Sequence, residues 1–233
     1  MSHLNNKILK SDINNRTAKI VGLLFLVAMV ASLLGGGIIE SIISSSSFLT
    51  VLPDSRLLLL IGVFLELMNG ISVVGIAALM FPILKRHNES LALAYFSFRI
   101  LEALFCCFIV ITPLSLLKLN LDTQYIKASI TLSIAQRSSI NDLLIPIFFC
   151  LGAILFYYLL YKTKLIPIFI SIWGFISVVL VFIMNIFMIF QVGNVNTVVF
   201  FILALPMILN EIFLGIWLII KGFNSSKVST LCA

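Results

Sequence analysis

The stretch from Ile20 to Ile39, IVGLLFLVAMVASLLGGGII, decides the fold class of this chain. Apart from Ser32, no residue in it has a polar side chain. In an α-helix, 20 residues at about 1.5 Å each extend about 30 Å, which is the thickness of the hydrocarbon core of a bilayer. The stretch therefore predicts a membrane-spanning helix.

A secretory signal peptide is the alternative interpretation of the same stretch, because the basic residues Lys7, Lys10 and Arg16 precede it. The apolar run is longer than the usual hydrophobic region of a signal peptide, about 7–15 residues, and no A-x-A cleavage motif follows it. We therefore interpret it as a permanent span that follows a polar tail over residues 1–18.

Five more apolar runs are each long enough to cross a bilayer, and the backbone of such runs must be helical because an unpaired amide in hydrocarbon costs several kcal/mol. The predicted fold is all-α: a polytopic membrane protein with a bundle of six transmembrane helices over residues 19–223 and a second polar tail over 224–233. The predicted spans are 20–39, 57–81, 91–117, 140–161, 165–190 and 198–220.

Composition excludes a water-soluble globule. Of the 233 residues, 61% are hydrophobic and only 10% are charged, which leaves too little polar surface to cover a folded sphere. We expect membrane lipids to cover the remainder. The net charge of +6 comes from basic residues scattered over short loops, which indicates contact with anionic headgroups and no nucleic-acid partner.

The distribution of Lys and Arg predicts the orientation. With both termini in the cytoplasm, ten basic residues lie inside and four lie outside, so the positive-inside rule favours a multi-pass protein of the cell membrane with cytoplasmic termini. The inside set is Lys7, Lys10, Arg16, Lys19, Lys85, Arg86, Lys162, Lys164, Lys221 and Lys227; the outside set is Arg56, Lys118, Lys127 and Arg137.

Two of the outer segments are longer than simple turns. The first, Glu40 to Arg56, contains four consecutive serines, Ser44 to Ser47, and is expected to be solvated. The second, Lys118 to Ser139, mixes apolar and polar residues. It is interpreted either as an amphipathic helix at the headgroups or as an irregular loop.

Four ionisable residues stand out well inside the predicted spans: Glu66, Arg99, Glu102 and Glu211. A charge at the bilayer centre costs at least about 2.5–3.5 kcal/mol and usually faces the bundle interior with a partner. Arg99 and Glu102 are three positions apart on one helix face, which favours a pair. At about 1.5 Å per residue, Arg99 and Glu211 lie about 12–13 Å from the cytoplasmic helix ends, Glu102 about 17 Å and Glu66 about 22 Å. The four residues form a ladder if the second, third and sixth helices are adjacent.

One guanidinium cannot neutralise three carboxylates, so we expect one or two of these Glu side chains to be protonated. Three interpretations remain open: charges that clamp the helices together, a ligand or ion pathway, and catalysis. Asn210 is included in the candidate ligand or ion pathway because it adjoins Glu211, although an intramembrane Asn is more often an interhelical hydrogen-bond partner.

Several kinds of site are not indicated. The only histidines, His3 and His87, lie in the tail and in a short loop. This excludes an intramembrane Ser-His dyad, and no zinc or nucleotide motif is present. The four cysteines include no C-x-x-C pair. We predict no catalytic residue, no cofactor and no metal site.

The stretch Gly152 to Gly174, GAILFYYLLYKTKLIPIFISIWG, resembles a segment of the domain-of-unknown-function family 4386 of mostly bacterial membrane proteins. Three further pieces resemble its motifs, and the resemblance covers essentially the whole chain. They are TAKIVGLLFL at Thr17–Leu26, FRILEA at Phe98–Ala103 and PMILNEIFLGIWLIIKGF at Pro206–Phe223.

This resemblance implies a bacterial inner-membrane protein of six helices, and it places Arg99, Glu102, Glu211, Trp217, Lys221 and Gly222 within family motifs. Where the family commonly has a basic residue after L-I-P, this chain has Ile168. The family implies no activity. Our leading hypothesis is a protein that binds or transports a small molecule or ion through the Glu/Arg site. The alternatives are a structural or partner-binding membrane subunit and a lipid-modifying enzyme that uses Glu acid-base chemistry.

Overall fold

A computed structural model of the chain describes residues 2–44, 52–118, 124–190 and 197–224. The secondary structure of these residues is helical throughout, with short turns between the helices. The long helices are Ser2–Ile43, Arg56–Leu84, Glu89–Ile109, Gln124–Ser139, Ile145–Thr163, Ile168–Ile189 and Thr197–Ile220, and a short helix, Ile111–Leu116, follows the third of them.

Six segments of these helices are long and apolar enough to cross a membrane, as the sequence predicts. We name them the first to sixth span in chain order. They are Asn15–Ile43, Arg56–Leu84, Glu89–Leu116, Ser129–Thr163, Ile168–Ile189 and Ile202–Ile220.

The spans form a closed ring. Each packs on the next along the chain, and the sixth packs back on the first. Asn15 and Gly222 lie close together at one end of the ring, which we name the lower end. It also carries the turns after Leu84 and Thr163, and the opposite end is the upper end.

The closure between the first and sixth spans depends on two glycines. A methyl group on Gly22 would lie 2.5 Å from the carbonyl oxygen of Gly215, and one on Gly215 would lie 3.1 Å from the carbonyl oxygen of Gly22. The two backbones therefore approach more closely than any side chain would permit, as small residues allow in membrane helix pairs.

The lower half of the bundle is filled by one apolar core to which all six spans contribute. Its buried aromatic residues include Phe25, Tyr95, Phe156 and Tyr157. The Tyr95 and Phe156 rings stack with centroids 5.3 Å apart. A second apolar cluster lies at the upper end and is built from the first to fourth spans, with Ile39, Leu59, Ile109 and Ile130 among its members. The two clusters leave the middle of the ring less densely filled.

The fourth span differs from its predicted extent. We expected it over 140–161, with the preceding segment as an amphipathic helix or a loop. Instead Gln124–Ser139 is a helix that continues through a π-helical turn, Ile140–Leu144, into Ile145–Thr163. Pro146 lies at the start of the helix Ile145–Thr163. Because proline has no backbone N–H to donate, its position is compatible with the wider π-helical turn that precedes it. The polar tail predicted over 1–18 is also helical from Ser2, whereas the middle of the serine-rich segment, residues 45–51, lies outside the described residues.

Candidate functional site

Arg99 and Glu102 form an ion pair in the third span. This helix begins at Asn88, whose side chain caps it by accepting a 2.9 Å hydrogen bond from the amide of Leu91. Arg99 Nη1 donates to Glu102 Oε2 at 2.8 Å, and the two side chains are each only 6% exposed. Because the partners are three residues apart, one helix carries both charges and neutralises them.

The Arg99 side chain also contacts the fourth span. Its guanidinium carbon lies 5.1 Å from the centroid of the Phe149 ring, and a methyl group on Gly152 would lie 3.3 Å from Arg99 Nε. The guanidinium is 6.0 Å from the Tyr95 ring of its own helix. Arg99 is thus held between an ion-pair partner and two aromatic faces, an arrangement that favours a permanent positive charge.

A cavity of about 290 Å³ lies above the lower core and is lined by residues from all six spans. The Arg99–Glu102 pair forms part of its wall on the third span, and Glu211 faces it from the sixth. Most of the remaining wall is apolar, including Phe25 of the first span and Phe149 of the fourth. The site therefore combines an apolar chamber with three ionisable side chains.

Glu211 is the cavity carboxyl without a hydrogen-bonded partner in the described part of the chain. It is half-buried, in contrast to the buried Glu102. The charges that act on it are those of Arg99, which attracts it, and Glu102, which repels it. Two carboxyl groups therefore act on one guanidinium, and Glu102 is the one that forms an ion pair with it.

Asn210 points away from this cavity. It is fully buried, and its side-chain amide donates to the carbonyl oxygen of Ile170 in the fifth span at 3.1 Å. That bond ties the sixth span to the fifth, as intramembrane Asn side chains commonly do. Asn69 instead lines the cavity, and its amide lies 3.7 Å from the Cys106 sulfur.

Glu66 lies apart from the other three predicted residues. It is 3% exposed in the second span and rests against Gly36 of the first, where a methyl group would lie 3.2 Å from Glu66 Oε1. The positive charge that acts on Glu66 is that of Arg137 rather than Arg99. The second span packs on the third, as the predicted ladder assumes, but the sixth packs mainly on the first and fifth. The ladder is therefore divided into a cavity group and a separate Glu66–Arg137 group.

Arg137 was missed as a buried residue because we placed it in an outer loop. It is only 4% exposed, and its Nη1 donates to the carbonyl oxygen of Ile109 at 2.7 Å. That carbonyl has no intrahelical donor at the usual spacing because residue 113, four positions on, is a proline. Thr112 donates to the carbonyl of Ser133 at 3.2 Å beside it. Pro113 in the third span is the sequence feature from which a missing donor could have been inferred.

No group of three or more His, Cys, Asp or Glu side chains in the described ranges is arranged to hold a metal ion. Of the described cysteines, Cys106 and Cys150 are buried and Cys107 is exposed, and all three are free thiols. The chemistry that the cavity offers is that of one ion pair and one additional carboxyl group.

Comparison with known proteins gives one match. No curated protein and no solved structure matches this chain significantly. The model of one family, described as Domain of unknown function (DUF4386), matches residues 20–222, which include all of the predicted site. The match extends from the first span to the end of the sixth, and the chain belongs to this family of domains of unknown function.

Proposed function

We propose that this protein binds a small molecule in the central cavity and carries it across the membrane. The observation that supports this is the convergence of Arg99, Glu102 and Glu211 on one cavity between all six spans. Ionisable side chains at such depth are costly and mark substrate or ion pathways in membrane proteins. The cavity volume of about 290 Å³ is close to the lower limit, about 300 Å³, of small-molecule sites.

A purely structural role accounts for these charges less well. The ion pair of Arg99 with Glu102 lies within one helix, so it does not join two spans. Glu211 has no hydrogen bond that would fix the sixth span among the described residues, and that task falls to Asn210. A clamp therefore explains Asn210 but leaves Glu211 without a role.

Catalysis is also less favoured, because acid-base chemistry on a substrate commonly uses two groups that are both available for proton transfer. Arg99 engages Glu102 at 2.8 Å, which leaves Glu211 as the available carboxyl group in the cavity wall. One carboxyl group suffices to bind and release a ligand or a proton.

We further propose that the lower end faces the cytoplasm of a bacterial cell. Arg16, Lys19, Lys85 and Arg86 are exposed there, whereas at the upper end Arg56 and Lys118 are exposed and Arg137 is buried. In a cysteine-free background, a cysteine at position 85 is expected to be protected from an impermeant maleimide in intact cells, and a cysteine at position 56 to be labelled. Labelling at position 85 and not at position 56 would show that the orientation is the reverse of the proposed one.

The carrier proposal is tested with three radiolabelled probes of similar shape: benzyltrimethylammonium, its neutral isostere neopentylbenzene, and phenylacetate. We expect saturable binding of at least one probe to the purified protein and uptake of that probe into proteoliposomes. Ala204→Trp fills the cavity from the sixth span and should abolish both binding and uptake. Ala28→Trp fills it from the first span and should do the same. Leu205→Trp is the matched control because Leu205 is 50% exposed on the outer face.

If none of the probes binds saturably, or if binding survives both cavity-filling variants, the carrier proposal is wrong. Size-exclusion profiles identify variants that have failed to fold. Because the two tryptophan substitutions lie on different spans, a variant that fails to fold leaves the other one as the test.

A further inference from the structure

We infer that the ligand of the cavity is an organic cation with a small apolar body, bound through its positive charge to the carboxylate of Glu211. This inference rests on the proposed function and specifies its ligand class. Four features of the cavity support it: the balance of charge, the surroundings of Arg99, the scarcity of oxygen ligands, and the aromatic wall.

The charge balance of the cavity favours one added positive charge. Among the described residues of its wall, the ionisable ones are Arg99, Glu102 and Glu211. The first two neutralise each other at 2.8 Å. When Glu211 is ionised, the cavity carries a net charge of about −1, and in a site of low dielectric constant a single cation compensates that charge far more effectively than water does.

An anionic ligand is disfavoured by the surroundings of Arg99. Its Nη1 is engaged by Glu102, the face of its guanidinium lies over Phe149, and Gly152 lies against its Nε. An anion near this guanidinium would also lie near two carboxyl groups, those of Glu102 and Glu211. That repulsion opposes the arrangement.

A hard metal cation is disfavoured by the composition of the wall. Ca²⁺ requires about six to eight oxygen ligands, and Mg²⁺ requires an octahedral set. Beyond the carboxyl groups, the described wall offers the side-chain oxygens of Ser32 and Asn69, and apart from Arg99 the other side chains are hydrocarbon or thioether. An organic cation carries its own apolar groups into such a chamber and needs no oxygen shell.

Aromatic and sulfur-containing side chains supply the rest of the complementarity. Phe25 and Phe149 contribute aromatic rings to the wall, and Met29 and Met207 contribute polarisable thioethers. Aromatic rings attract quaternary ammonium groups through cation–π contacts. The Arg99–Phe149 contact at 5.1 Å is an instance of this interaction in the same cavity.

The volume limits the size of the ligand. A cavity of about 150 Å³ holds one benzene ring, and this one measures about 290 Å³. The occupant therefore has about twelve non-hydrogen atoms, the size of one ring with a small ammonium group. Ser32 and Leu33 line the cavity and are also exposed, so it reaches the surface of the bundle beside them.

The test compares affinities of the purified protein for benzyltrimethylammonium and neopentylbenzene, which share a shape and differ in charge. We expect the cation to bind at least about tenfold more tightly, which corresponds to about 1.4 kcal/mol. Glu211→Gln should weaken the binding of the cation by a similar factor and leave neopentylbenzene unaffected. Glu211→Asp keeps the charge and should retain most of the affinity.

Glu89→Gln is the matched control, because Glu89 is exposed at the lower end and undergoes the same chemical change. It should leave both affinities unchanged. Equal or tighter binding of neopentylbenzene or phenylacetate, still abolished by Ala204→Trp, would overturn the cation assignment and leave the carrier proposal standing. Absence of saturable binding for all three probes overturns the carrier proposal itself.

Discussion

Gly152 of the fourth span lies against the side chain of Arg99 of the third. A methyl group at position 152 would stand 3.3 Å from Arg99 Nε and 3.4 Å from Arg99 Cδ, within the range where one neighbour must move slightly. The glycine thus provides the space that the buried guanidinium occupies. The position of the cavity's positive charge depends on an uncharged residue of another helix.

Substitution of Gly152 should reveal this dependence. Gly152→Ala requires a shift of a few tenths of an ångström and gains about 1 kcal/mol of helix propensity, so the two effects nearly cancel. Gly152→Leu needs space that Arg99 fills, and we expect a clear drop in the thermal unfolding midpoint in detergent. Gly37→Leu is the control because a methyl group at position 37 would meet nothing within 4 Å and the position is exposed. Equal loss in both leucine variants would contradict the contact.

The Arg99–Glu102 pair should behave as a coupled unit. Removal of one partner leaves a buried charge without compensation, which costs about 3–5 kcal/mol, whereas replacement of both by apolar or neutral residues of similar size is far milder. We expect Arg99→Leu and Glu102→Gln each to lower the yield of folded protein and the unfolding midpoint. The double variant should recover most of the loss. Additive losses would show that the two side chains act independently.

The bond from Arg137 to the Ile109 carbonyl predicts a coupling with Pro113. Arg137→Ala leaves that carbonyl without its donor and removes the positive charge that acts on Glu66, and we expect it to destabilise the protein by about 1–3 kcal/mol or more. Pro113→Ala supplies an amide at helical spacing from the Ile109 carbonyl. In that background, Arg137→Ala should therefore cost less, by about 1 kcal/mol.

Arg137→Ala removes the positive charge near Glu66 whether or not Pro113 is present. The difference in its cost between the two backgrounds therefore measures the hydrogen bond to the Ile109 carbonyl. Arg56→Ala, at an exposed position of the upper end, is the control and should change little. A cost of Arg137→Ala that is the same with and without Pro113 would mean that the carbonyl bond contributes nothing measurable.

Closure of the ring should be sensitive to a single methyl group. Gly22→Ala would place a methyl 2.5 Å from the Gly215 carbonyl oxygen, and backbone cannot yield as a flexible side chain does. We expect the first and sixth spans to separate and the unfolding midpoint to fall. Gly37→Ala in the same span should be tolerated. A disulfide engineered between the first and sixth spans should form when Gly22 is present and should not form in the Gly22→Ala variant.

Much of the fold could be predicted from the sequence because hydrocarbon thickness imposes a length on every span. The fourth span was the exception. Its upper part contains Arg137 and several hydroxyl side chains, which end the apolar run near residue 140 although the helix continues from Gln124. Hydropathy detects contact with lipid, whereas this segment is held by hydrogen bonds to the third span.

The candidate site was predicted in part. The spacing of Arg99 and Glu102 indicated their pairing within one helix, and the structure forms it at 2.8 Å. The depth estimate placed Glu211 level with Arg99, and both line the cavity. Glu66 lies outside the wall of that cavity, which the depth estimate could not show, because depth along a helix does not reveal which way a side chain faces around it. That direction depends on the order of the spans in the ring.

The confinement of Arg99 and Glu102 to a single helix also bears on biogenesis. A ribosome delivers the segments one after another, and the third enters the bilayer before the fourth, fifth or sixth has been translated. Since its two opposite charges lie on neighbouring turns, that segment is already electrically balanced on arrival and needs no later neighbour to shield it. Glu211 arrives last, and the chamber around it exists only once the final helix has docked against the first.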